Sequence, residues 1–275
     1  MKLISVNDLS LQNEGYFAFK HVAFSLSQNE IIGINGDNGS GKTQFLEALA
    51  NNDVADSGVI EYTPGVRVGY MPQENPQVIN QTVGKYLEDV RRVSKDLAVR
   101  PEQLQGMVKF LGMSPQIDRP VRQLSLGLRR RVDFLAAVVG HPNVLLLDEP
   151  FAFQSNEVVK NMLSLLQDLK ENGSGIVLVG THFDESVNQY LDASYLFKEN
   201  RLTKIASTTN QEKFCRLVFS VHPNSIAVTS DIERYITANA HNSVELQLPK
   251  TLRKNIVEKM TRLNYRLEEA TEIEA

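Results

Sequence analysis

The stretch Gly36-Asp37-Asn38-Gly39-Ser40-Gly41-Lys42-Thr43 constrains this chain more than any other. It fits the pattern of a glycine-rich loop closed by lysine and a hydroxyl residue at every fixed position. Before it, Ile31-Ile32-Gly33-Ile34 reads as a buried strand. After it, Gln44-Phe45-Leu46-Glu47-Ala48-Leu49-Ala50 reads as a helix with Phe45, Leu46 and Leu49 on one face. Strand, glycine loop and helix in this order form a phosphate-binding P-loop. The glycines let the backbone curl and turn several N–H groups inward. The helix start adds its positive dipole end. In such a loop Lys42 reaches the β- and γ-phosphates, and the Thr43 hydroxyl can ligate Mg²⁺. The loop as a whole, Gly36, Asp37, Asn38, Gly39, Ser40, Gly41, Lys42 and Thr43 with Gln44 behind it, is the expected nucleotide cradle.

The bulk numbers leave room for this fold and exclude others. A length of 275 residues allows one large domain plus a small one, or two of medium size. Hydrophobic content of 42% and charged content of 23% are those of a globular protein. No apolar run reaches the ~18 residues of a transmembrane helix. The opening MKLISVNDLS alternates like a strand and lacks a signal peptide's apolar core. The net charge of −4 argues against a general nucleic-acid binder, and no direct nucleic-acid partner is expected. The single cysteine, Cys215, suits a reducing cytoplasm and reads as a small buried hydrophobe.

Taken in order, residues 3–11 and Tyr16 to Leu26 read as strands around a turn at Asn13-Glu14-Gly15. After the P-loop helix come turns at Asn51-Asn52-Asp53 and Asp56-Ser57-Gly58. Short strands at Val59–Tyr62 and Val66–Met71 are joined by Thr63-Pro64-Gly65, and a loop follows at Pro72-Gln73-Glu74-Asn75-Pro76. From Thr82 to about Arg122 the apolar spacing is helical, punctuated by Pro101 and Pro115, as in a helical insert. Arg129 to Val139 reads as a helix whose arginine run makes a solvated face. Val144-Leu145-Leu146-Leu147 and Ile176-Val177-Leu178-Val179 read as buried strands on either side of a helix from about Glu157 to Glu171. Tyr195–Phe197 and Arg201–Ile205 make a hairpin turning at Glu199-Asn200. Such short apolar strands separated by helices belong to a parallel sheet covered on both faces. Ligands of these sheets collect beyond the C-terminal strand ends. Gly36, Asp148 and His182 all stand at such ends.

Ser207-Thr208-Thr209-Asn210 marks a change of composition and reads as a linker. Beyond it, Arg216–Val221, Ser225–Val228, Val244–Leu248 and Tyr265–Ala270 read as strands and Thr251–Leu263 as a helix. The expected fold is α/β: a P-loop NTPase core with an antiparallel β subdomain and a helical insert at about 80–135, all within 1–206. A small α+β domain occupies 207–275.

Leu145-Leu146-Leu147-Asp148-Glu149 is a second nucleotide signal. A carboxylate closing a buried strand can hold the Mg²⁺ that bridges phosphates, which suits Asp148. Glu149 beside it can orient and deprotonate the attacking water. The succession GDNGSGKT, VGYMPQE, LSLGLRRRV, VLLLDEP and LVGTHFDE resembles the ATP-binding subunit of an ABC transporter over about residues 3–205. That resemblance implies an Mg-dependent ATP hydrolase using ATP and Mg²⁺. By the resemblance, Gln73 contacts the metal and the attacking water, and His182 holds the γ-phosphate. Ser125 and Gly127 of the signature turn touch the γ-phosphate bound to the opposite subunit. Thr43, Gln73 and Asp148 form the metal set, and Tyr16 is the aromatic nearest the place where the family stacks adenine. Two departures stand out: Leu126 and Leu128 replace a glycine and a glutamine of the signature, and Ser155 replaces an aspartate.

With one P-loop per chain, the resemblance implies a head-to-tail dimer, with itself or with a paralogue, that moves a membrane permease carried on another chain. It places the chain in the cytoplasm, attached to the membrane's cytoplasmic face through that permease. The start LSLG and the small C-terminal domain resemble exporter-type subunits. A non-transport ABC ATPase associated with translation, suggested by RVGYMPQE, and a weak regulatory ATPase are the competing readings.

Overall fold

The computed structural model describes residues 1–13, 15–50, 55–75, 79–205, 214–240, 242–249 and 252–273. The turn read at Asn51-Asn52-Asp53 and the linker read at Ser207-Thr208-Thr209-Asn210 lie outside the described residues, as do Glu14, Pro76 and Thr251. The chain divides into two compact units, Met1–Ser207 and Thr208–Ala275.

The first unit opens with two long antiparallel strands, β1 (Lys2–Asn13) and β2 (Tyr16–Ser27). β3 (Glu30–Gly36) ends on the first loop glycine, and α1 (Lys42–Ala50) begins on the loop lysine. β4 (Ser57–Tyr62) pairs with β1 to complete a sheet ordered β2-β1-β4. β5 (Val68–Met71), although only a short turn away, joins the other sheet. Adjacent strands in sequence therefore serve different layers. α2 (Val83–Val93), α3 (Pro101–Phe110) and α4 (Leu126–Val139) follow. Pro101 takes the first helical position, where its missing N–H leaves nothing unpaired. α4 starts earlier than the arginine run suggests, because the Ser125 hydroxyl accepts from the Leu128 amide as an N-cap.

The remaining elements are β6 (Val144–Asp148), α5 (Asn156–Glu171), β7 (Gly175–Gly180), α6 (Glu185–Asn188), β8 (Ala193–Lys198) and β9 (Arg201–Ile205). Six strands form one sheet in the order β5-β6-β7-β3-β8-β9. Every pairing in it is parallel except β8 with β9. That last hairpin turns on Glu199 and Asn200, both at positive φ, as a two-residue hairpin loop requires.

The strand period of two splits the core. Leu145, Leu147, Ile176 and Leu178 pack with α2 to α5 on one face of the parallel sheet. Val144, Leu146, Val177 and Val179 pack with α1 and the antiparallel strands on the other. Phe45 of α1 is the hub of the second layer. Its ring lies 5.7 Å from Phe19, 5.6 Å from Phe24 and 5.8 Å from Phe197.

In the second unit, β10 (Phe214–Val221), α7 (Ser230–Glu233), β11 (Ile236–Ala240), β12 (Ser243–Pro249), α8 (Arg253–Arg262) and β13 (Tyr265–Ile273) make an antiparallel sheet ordered β11-β12-β10-β13. This is a split β-α-β arrangement. Cys215 is buried in its core. The strand read at Ser225–Val228 is not formed: Ile226 is exposed, and its amide donates to the Leu263 carbonyl as part of a connection. The strand Ile236–Ala240 escaped the sequence reading because it is an edge with no buried alternation.

Phe45→Ala removes the side chain on which three aromatic rings converge. It should destabilise the first unit by about 3–5 kcal/mol, measured by denaturant unfolding. A loss below about 1 kcal/mol would place the hub of this layer elsewhere.

Candidate functional site

Parallel pairing brings the polar strand ends together. Asp148 stands beside Val179, and Val179 beside Ile34, so the glycine loop starts just past the row that holds Asp148. Two glycines are required by close approach. At Gly41, φ is +102°, and an added Cβ would run into the Ala18 carbonyl of β2. At Gly36 an added Cβ would lie 2.6 Å from the Phe197 carbonyl oxygen of β8. The loop is thus wedged between a strand of each sheet, and only glycine fits.

The loop's lysine is buried. Its Nζ donates to the carbonyls of Gly36 and Asp37, both at 2.7 Å, and to Ser40 Oγ at 3.4 Å. Burial pushes the Lys42 pKa down, and Glu149, Asp148 and Asp37 pull the other way. The Thr43 hydroxyl donates to Asp148 Oδ2 at 2.7 Å, across the width of a strand. Asp148 is itself buried, and that burial pushes its carboxyl pKa up against Thr43, Arg130 and Lys42. Glu149 is pushed up by burial and then by Asp148, with Lys42, the Thr181 amide and Arg130 opposing. Its backbone is left-handed at φ 49°, an unfavourable conformation for a glutamate, and its amide donates to the Val179 carbonyl at 2.9 Å.

These groups enclose a cavity of about 100 Å³ lined by Asn38, Gly39, Gly41, Lys42, Thr43 and Gln44 from the loop and by Gln73, Asp148 and Glu149 opposite. The volume suits phosphate groups rather than a whole nucleotide. Among the described residues, no group of three or more His, Cys, Asp or Glu gathers to hold a metal. One hydroxyl, one carboxylate and one amide fit the way Mg²⁺ is held, with few protein ligands and the rest from phosphates and water.

The other expected site residues stand apart from this cavity. His182 is exposed in the connection after β7, beside Thr181. Ser125 caps α4, and Gly127 lies in its first turn. The Gly127 carbonyl accepts from Gln154 Nε2 at 2.9 Å, and Gln154 Oε1 accepts from Arg131 Nε at 2.9 Å. Two apolar side chains flank that link, Leu126 at 47% exposure and Phe153 at 73%. Ser155 precedes α5 as its N-cap residue. Tyr16, at 82% exposure, is on the surface and not part of any core.

The arginine run is not a solvated face. Arg130 is 3% exposed. Its Nη1 donates to the carbonyls of Pro72 (2.6 Å) and Gln73 (2.8 Å). Its Nη2 donates to the carbonyls of Asp148 and Glu149, the latter at 2.9 Å. The available signal was Phe134, four residues on, which places Arg130 on the buried stripe of α4.

The ABC transporter family profile matches residues 19–152. An ABC-type organic anion transporter of Mus musculus is 28% identical over 208 residues, which is 72% of this chain but only 13% of that protein's length. The zinc import ATP-binding protein of Paracoccus denitrificans (strain Pd 1222) is 31% identical over 183 residues, covering 66% of this chain and 70% of that protein. This chain belongs to the ABC transporter ATP-binding family. A solved ATP-binding cassette, described as a dimeric post-hydrolysis state bound to ADP and Pi, superposes on the ABC chain with a TM-score of 0.61 at 21% identity. It covers 74% of this chain and 99% of that one, and the shared architecture is the P-loop NTPase fold. Among the described residues, no helix of the ABC chain is long and apolar enough to cross a membrane.

The raised carboxyls set a pH dependence. A carboxyl whose folded pKa exceeds its unfolded one favours folding below the unfolded value, and that contribution is lost as pH rises through the folded value. Asp148→Asn should therefore raise the melting temperature of the nucleotide-free ABC chain at about pH 7.5, with the gain fading toward about pH 4. Thermal melts across that range check it; a gain that grows on acidification would contradict the assignment.

Proposed function

We propose that this chain is an Mg²⁺-dependent ATP hydrolase, the ATP-binding subunit of a transporter whose membrane permease is a separate chain. One observation supports this above the rest: Lys42, Thr43, Gln73, Asp148 and Glu149 converge on a single phosphate-sized cavity, with Thr43 and Asp148 in hydrogen-bond contact. Lys42 exchanges its two loop carbonyls for phosphate oxygens when ATP enters. Thr43, Asp148 and Gln73 would hold Mg²⁺, which supplies charge neutralisation between the phosphates. Glu149, its carboxyl pKa raised by burial and then by Asp148, takes the proton from the attacking water. His182 supports the γ-phosphate, and Tyr16, open on the surface, stacks on adenine.

Ser125 and Gly127 lie outside the cavity of their own chain, which supports a two-fold dimer in which each signature turn caps the other subunit's ATP. A homodimer and a pair with a paralogue are both compatible with one P-loop per chain. The chain acts at the cytoplasmic face of the membrane, held by the permease. Export is the direction favoured by the signature start and the second unit, whose role we assign to dimerisation or regulation. A second reading, a nucleotide-gated switch with weak hydrolysis, is favoured by exposed Leu126 where the family carries glycine.

Glu149→Gln should lower kcat by about 10²-fold or more while ATP still binds. Wild type indistinguishable from this variant, with ATP bound, would select the switch. Lys42→Ala should weaken ATP binding by about tenfold or more in a nucleotide titration; unchanged affinity would remove the phosphate loop from the reading.

A further inference from the structure

Arg130 has a task that neither the glycine loop nor the signature turn performs. We propose that Arg130 is the positioning residue that yokes the signature serine of α4 to both the Gln73 loop and the Glu149 turn. The inference rests on the ATPase reading of Gln73 and Glu149 and adds how they are held.

The geometry carries it. A guanidinium is a planar fork with donors in fixed directions. Here one arm takes the carbonyls of Pro72 and Gln73, and the other takes those of Asp148 and Glu149. The two carbonyl pairs come from segments more than 70 residues apart in sequence. Each pair flanks a side chain that faces the phosphate cavity: Gln73 on one side, Asp148 and Glu149 on the other. Glu149 is gripped on both sides of its Cα, its amide on Val179 and its carbonyl on Arg130. This double hold is what keeps a glutamate in the left-handed region.

Stability alone does not call for a cation here. Around it on α4, Val132, Phe134 and Leu135 are buried and apolar, and Asp133 is the other buried charged residue of the helix. Well-packed apolar residues usually serve a core as well as a buried charge or better. Burial pushes the arginine's pKa down, and Asp133, Asp148, Glu149 and Glu74 oppose that shift without cancelling it. What an apolar side chain could not supply is a fixed spacing between two loops.

α4 supplies the third point of the yoke. Ser125 caps the helix five residues before Arg130, about 7.5 Å along a rigid rod. Any displacement of Ser125 by a neighbouring subunit's nucleotide moves the fork, and with it the carbonyls next to Gln73 and Glu149. The yoke thus passes the state of one ATP, sensed in trans by the serine, to the water-activating pair in cis.

The test uses the full chain with two variants, Arg130→Gln and Arg130→Lys, each checked for native circular dichroism and melting. Arg130→Gln should lower kcat by about 30-fold or more with KM for ATP changed by less than about threefold. Arg130→Lys, which keeps a cation with fewer directed donors, should recover part of the loss. Hydrogen exchange at Gln73, Glu74 and Glu149 should quicken by about tenfold or more in Arg130→Gln, while α1 and β3 keep their protection. A kcat equal to wild type, a loss wholly in KM, or faster exchange spread through α1 and β3 would overturn the yoke. If Arg130→Gln does not fold, Arg130→Lys decides by the same readouts. If wild type itself shows no ATPase activity, the ATPase reading fails, and exchange at the three amides judges the yoke separately.

Discussion

The ladder of parallel hydrogen bonds through β6, β7 and β3 is the constraint from which the rest of the site follows. It holds Asp148, Val179 and Ile34 in one row, so residues far apart in sequence leave the sheet at the same level. Strand pairing of this kind allows no intermediate register: a slip by one residue would turn every side chain to the other face. Because both faces of these strands are covered by apolar layers, a slip in either direction would disturb the packing against its neighbours. The 2.7 Å contact between Thr43 and Asp148, 105 residues apart, is a consequence of that register.

On this frame sits a group of charges that opposes folding. Two adjacent carboxylates, a lysine and an arginine are withdrawn from water at the strand ends. Burial disfavours the charged form of each, and mutual attraction only partly offsets it. Glu149 adds a left-handed backbone. The stability that tolerates all of this comes from elsewhere, from the aliphatic faces of β6 and β7 and the ring cluster around Phe45. Local strain at the chemistry and regular packing around it form the usual division of labour in a site built on a sheet edge.

Much of this was legible from residue order. The glycine loop, the strand–loop–helix succession and the strands ending in Asp148 and near His182 all carry local signals, and those elements stand where they were read. The failures have physical causes. Three successive arginines look like a solvated face because charge runs usually are, yet a helix turns 100° per residue and buries one position in such a run. Arg130 is that one, and its neighbours Arg129 and Arg131 are only partly covered. In the second unit, Ile226-Ala227-Val228 has the composition of a strand but joins no sheet, while Ile236–Ala240 lacks the alternation and is an edge strand. β4 and β5 read as neighbours, and the sheets divide between them.

What residue order determined by itself were features that depend on neighbours within a turn or two: the strand–loop–helix succession, most of the helices and buried strands, and which side chains can bind phosphate. Tertiary structure alone decided which of these meet. The grip of Arg130 on four carbonyls and the joining of Thr43 to Asp148 come from packing partners tens of residues away. No local pattern encodes them, because side-chain partners and strand register are settled by the facing surface and not by the segment that meets it.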